Sequence, residues 1–128
     1  MTKKFLYTIL SLFLLSMVFF SCSARYTKNQ ILFGIEAAKM ELWDEAIFRW
    51  NKAISQDPNN SSAHNNLAVA YEKKGMLEEA EKEYLTALDL DPKNERIQAN
   101  FENFKKDKLK KSDDENNEDT KDKKETKK

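Results

Sequence analysis

The chain has 128 residues, a one-domain length, with 34% charged residues and a formal net charge of zero. Zero net charge supplies no basic field for nucleic acid, and a single cysteine permits no internal disulfide. Cys22 and the single His64 cannot make a four-ligand zinc site, and two glycines leave no loop to cradle a phosphate. No metal or cofactor is expected. Having only two prolines as well argues against a turn-rich β fold.

The chain opens on Lys3 and Lys4, followed by an apolar run from Phe5 to Phe20 broken only by Thr8, Ser11 and Ser16. A short positive start, an apolar stretch and a small residue, Ser21, describe a secretory signal over residues 1–21. As a helix the run spans about 24 Å, short of a hydrocarbon core of about 30 Å. The reading Phe19-Phe20-Ser21-Cys22 resembles the lipobox of bacterial lipoproteins. That resemblance implies cleavage before Cys22, a diacylglycerol on its thiol, and a lipidated tether over residues 22–26. Two alternatives stand beside it. Lys4 and Arg25 bracket 20 uncharged residues, enough for an uncleaved anchor. An ordinary cleaved signal leaves a free thiol. All three place residues 25–128 outside the cytoplasm, in the cell envelope. Ser23 is not the aspartate that retains some lipoproteins at the inner membrane, which favours the outer membrane.

The next signal is an internal repeat. A shift of 34 residues places Lys39 on Lys73, Glu45 on Glu79, Ala46 on Ala80 and Ala53 on Ala87. Asp57-Pro58 falls on Asp91-Pro92, and Asn60 on Asn94; Trp50 meets Tyr84. Within residues 27–60, Trp43, Ala46, Ile47, Trp50, Ala53 and Ile54 form one helical stripe. Leu77, Ala80, Tyr84, Ala87 and Leu88 repeat it within 61–94. Each copy therefore reads as two helices joined by a short turn. Gly75 stands where a turn needs positive φ, and Asp-Pro ends each second helix. Ser61 or Ser62, and Asn94, are the expected N-caps of the helices that follow. Ile97, Phe101 and Phe104 give a narrow stripe on a fifth helix over 95–111. Residues 112–128 hold no apolar residue and are expected to be disordered and solubilising.

These positions resemble the tetratricopeptide repeat (TPR) family. Gly34 and Ala68 match its small position, Tyr71 an aromatic, Gly75 the glycine, and Ala46, Trp50, Ala53 and Pro58 with their counterparts the rest. Ala37 and Glu41 depart from it. The resemblance implies an all-α fold, a short α-solenoid of two TPR helix hairpins (27–60 and 61–94) closed by a C-terminal solvating helix. It implies protein binding rather than catalysis. No nucleophile motif accompanies His64, and Glu78-Glu79 lie among lysines on a helix surface.

In this family the first helix of each repeat lines a concave groove. Here that gives Lys28, Ile31, Ile35 and Ala38, then Ser62, Asn65, Val69 and Glu72, then Arg96, Ala99 and Asn103. The family's carboxylate clamp is matched at Asn66 and Arg96 but not at Ile31, Ile35 or Asn100, so a clamp is not expected. The protein-binding groove is expected at Lys28, Ile31, Ile35, Asn65, Asn66, Val69 and Arg96, taking a protein or peptide partner. The segment after Cys22, notably Tyr26, is an alternative cover for it. Two repeats are few for a solenoid. The open face of the first repeat is therefore expected to meet a partner or a second copy. The resulting expectation is a membrane-anchored adaptor or accessory subunit of a bacterial envelope assembly. The competing reading is a receptor that captures a peptide in the groove.

Overall fold

The computed structural model describes Tyr7, Leu10 and Phe13, each helical, and residues 25–125, with side chains described through Lys110. Cys22, the expected cleavage site and residues 126–128 lie outside the described residues. Every element among the described residues is a helix: α1 (25–39), α2 (Trp43–Gln56), α3 (Ser61–Lys73), α4 (Leu77–Leu90) and α5 (Glu95–Glu125). The two helix hairpins stack, α2 packs on α3, and α5 closes over α3 and α4. This is the all-α solenoid that the repeat implies.

Each hairpin turns by the same device. Leu42 N–H donates to Ala37 O at 2.9 Å and Glu41 N–H to Ala38 O at 3.0 Å. In the second copy Met76 N–H donates to Tyr71 O at 2.9 Å and Gly75 N–H to Glu72 O at 3.0 Å. Both are Schellman closures, which need one left-handed residue. Gly75 takes it with φ +74°, whereas Glu41 takes it with φ +57° despite its Cβ. The left-handed region costs a side-chain-bearing residue about 1–2 kcal/mol. Glu41→Gly is therefore expected to stabilise the fold by about 1 kcal/mol in urea unfolding followed by circular dichroism.

The connections between hairpins also repeat. Asn60 Oδ1 accepts from Ala63 N–H at 3.0 Å, while its Nδ2 donates to Asp57 Oδ2 at 3.1 Å. Asn94 does the same with Ile97 N–H at 3.4 Å and Asp91 Oδ2 at 2.9 Å. The N-cap of α3 is thus Asn60, not Ser61 or Ser62, because only Asn60 is braced by the aspartate three residues earlier. His64 secures the same corner: Nδ1 lies 2.6 Å from Glu83 Oε2 and Nε2 3.0 Å from Pro58 O. It is buried and structural.

Small residues set the helix spacing. Ala46, Ala53, Ala80 and Ala87 are fully buried along the repeated stripe. Trp50, 2% exposed, lies on Gly34 and donates Nε1–H to Ile31 O at 3.2 Å. Tyr84 fills the same place in copy two, packs with Ala68 and Phe104, and donates its phenol to Glu72 Oε2 at 2.9 Å. Burial, and then the Glu72 carboxylate, push the Tyr84 phenol well above its ordinary range. Glu72 consequently serves the core edge rather than the groove.

α5 differs from expectation at its far end. Ile97 and Phe104 are buried as their spacing predicts, but the helix continues to Glu125 instead of stopping at residue 111. Nothing after Pro92 is glycine or proline, and a helix satisfies its own backbone without a core. At the other end, α1 already includes residues 25 and 26, which shortens the expected tether.

Candidate protein-binding groove

The concave side is built by the first helices of the repeats, α1 and α3, with the start of α5. One depression of about 350 Å³ collects Ile35 from α1, Asn65, Asn66 and Val69 from α3, and Arg96 and Asn100 from α5. Ala38, Lys39 and the edge of Trp50 complete its wall. A second, of about 560 Å³, adjoins α1 where Thr27, Lys28, Ile31 and Leu32 face Gln56, Asp57 and Asn60. Five of the seven expected groove residues therefore converge, and the remaining two, Lys28 and Ile31, line the neighbouring hollow.

The members are not equivalent. Asn65 is 1% exposed; its Oδ1 accepts from Asn100 Nδ2 at 3.0 Å, and its Nδ2 makes a long 3.4 Å contact with Asn66 Oδ1. Its side chain ties α3 to α5 and is the floor of the groove, not a contact for a partner. A buried amide so engaged costs more to disturb than it returns to a ligand. Asn66 and Val69 are half-buried, and Arg96 is exposed at the rim. Lys39 is held by Glu36 at 2.8 Å, whereas Arg96 joins none of the ion pairs formed among the described residues. The groove thus grades from an apolar wall at Ile35 and Val69 to a cationic, amide-rich end at Arg96, Asn66 and Asn100. That grading suits a segment with apolar side chains followed by an acidic group.

Asn100 was legible as an i+4 neighbour of Arg96 on one helix face, and Leu32 as the i+4 neighbour of Lys28. The open face of the first repeat also differs from a bare stacking surface. Ala63, Leu67 and Ala70 of copy two are buried under α1 and α2; their counterparts in copy one are Asn29, Phe33 and Glu36.

Stacked antiparallel helix hairpins with repeated Asp-Pro corners and a groove on the first helices define a TPR-type α-solenoid. Residues 50–82 match the family model described as Tetratricopeptide repeat. Among solved structures, the chain is similar to the Arabidopsis OM64 TPR domain, at a TM-score of 0.64 and 19% identity, covering 69% of this chain and 73% of that one. It is also similar to the first TPR of Spaghetti (RPAP3) bound to the HSP90 peptide SRMEEVD, at a TM-score of 0.39 and 20% identity, covering 66% and 94%. Among curated proteins, a stretch of 41 residues is 51% identical to Protein O-mannosyl-transferase TMTC4 of Mus musculus, covering 32% of this chain and 6% of that protein. The fold is that of a TPR domain.

Proposed function

We propose that this chain is a membrane-anchored interaction module, an adaptor or accessory subunit of a bacterial envelope assembly, that grips a segment of its partner in the groove of α1, α3 and α5. The observation that carries the reading is the convergence of Ile35, Val69, Asn66 and Arg96 on one open depression. The sequence supports the anchor: an apolar run ending on the single Cys22, whose acylation with two or more chains would hold the body stably at a membrane.

Both halves are testable. Ile35→Asp combined with Arg96→Glu puts a charge on the apolar wall and reverses the rim cation. Partner recovery from crosslinked membranes is expected to fall by roughly tenfold or more, in line with the loss of a contact worth about 1.4 kcal/mol or more. Because Ile35 also packs against the core cluster of Trp50 and Leu67, far-ultraviolet circular dichroism checks that the double variant is folded, and Arg96→Glu alone, at an exposed site, tests the rim without that cost. Undiminished recovery would place the partner elsewhere. Fatty-acid labelling is expected to disappear in Cys22→Ala; membrane retention without any label in the unaltered chain would leave the uncleaved anchor instead.

A further inference from the structure

Tyr26 and Phe33 of α1, and Met40 just after its last residue, recur every seven residues, so they lie along one side of the helix. They are 40%, 57% and 70% exposed. Phe48 of α2, 49% exposed, joins the same surface: the Arg49 guanidinium lies 5.5 Å from the Phe33 ring centre and 5.6 Å from that of Phe48. Lys52 Nζ stands 5.3 Å over Phe48. The internal repeat supplies a control. The counterparts in copy two are Asn60, Leu67, Lys74 and Lys82. Leu67, the one apolar member, is 1% exposed because repeat one covers it. The hairpin itself therefore requires no water-facing apolar residue at these places, and copy one carries four.

We infer that this aromatic and methionine face of α1 and α2 beds into the headgroup and outer acyl region of the membrane that holds the anchor. The inference rests on the anchored reading above. Three observations select a lipid surface over a protein one. First, only two residues separate Cys22, the proposed anchor point, from α1 at residue 25, so α1 begins within about 11 Å of the anchor. Second, a protein layer stacked on this face as repeat one stacks on repeat two would bury Asn29 and Glu36, the counterparts of buried Ala63 and Ala70, and desolvating the Glu36 carboxylate is costly. A bilayer interface leaves such groups at the wet headgroup level while rings and thioether sink beside them. Third, the exposed Lys52 lies over the Phe48 ring, where its cation can meet lipid phosphate as the ring meets the acyl boundary, while Arg49 beside it is held by Glu45 at 2.6 Å.

The test uses the full chain carrying the photoreactive residue p-benzoylphenylalanine in place of Phe33 or Phe48, with the exposed positions Lys74 and Lys82, the counterparts of Met40 and Phe48, as controls. Each version is reconstituted into vesicles of phosphatidylethanolamine and phosphatidylglycerol, floated, irradiated and weighed by intact mass. Phospholipid adducts are expected at 33 and 48, roughly tenfold above those at 74 and 82. An adduct of twice the chain mass would assign the face to a second copy and overturn the inference. A crosslink within one chain to residues 1–24 would assign it to the leader and overturn it equally. Chain that floats but gives lipid adducts no stronger at 33 and 48 than at the controls would overturn this inference while leaving the anchor standing. Chain that does not float at all would remove the anchored reading, and this inference with it.

Discussion

Gly34→Ala is expected to destabilise the folded body by about 2 kcal/mol, although alanine is the better helix former by about 1 kcal/mol. An ideal Cβ on Gly34 would stand 2.3 Å from Trp50 Nε1 and 2.7 Å from Cδ1 and Cε2, inside any tolerable contact. The obstacle is the body of a ring that is 2% exposed, not the end of a flexible side chain. Trp50 must swing, and its Nε1–H then loses Ile31 O while still buried, a penalty of about 1–3 kcal/mol. Copy two shows the accommodated alternative, with Ala68 beside the smaller ring of Tyr84. Gly34→Ala combined with Trp50→Tyr is accordingly expected to show a favourable coupling of about 1 kcal/mol in a double-mutant cycle measured by urea unfolding. Strictly additive effects would mean that ring and glycine are not in contact.

Phe104→Ala is expected to cost about 3–5 kcal/mol. Phe104 is 1% exposed, with its ring centre 5.4 Å from Tyr84 and 6.3 Å from Phe101. It joins Ala68, Ala80 and Tyr84 in the core that α5 covers. Small domains have total stabilities of about 5–15 kcal/mol, so the loss is a large share. Hydrogen exchange should accelerate most in α4 and the start of α5, and least in α1. Phe101→Ala, at a half-buried position, should cost markedly less. Equal exchange across all helices in Phe104→Ala would show that the array unfolds only as one unit.

The 34-residue spacing made the hairpins, the corners and the small-residue contacts legible, because repeated geometry demands repeated residue types. Where the copies differ, the sequence was harder to read. Glu41 holds a left-handed turn that Gly75 predicts only by alignment. Asn65 falls on a groove position of its helix, yet Asn100, 35 residues later, reaches it and takes it into the floor. No local pattern announces that contact, since it forms only when α5 docks. The split of Lys28 and Ile31 from Arg96 likewise depends on where the α2–α3 corner lies. Phe33 and Phe48 were hidden for a different reason: periodicity marks apolar residues as core, and only burial shows which ones face water. The run of α5 to Glu125 shows that the lack of a core stripe does not by itself end a helix.

The groove of α1, α3 and α5 is proposed to hold a segment of a partner. Its most direct test replaces Val69, half-buried in the wall between Ile35 and Arg96, with p-benzoylphenylalanine in living cells. Irradiation is expected to yield one predominant protein adduct, its crosslink mapping to a single segment with apolar residues beside an acidic one, and lost when Arg96→Glu is added. An adduct that persists unchanged with Arg96→Glu, or a chain that stays uncrosslinked while its partner is still recovered, would contradict it.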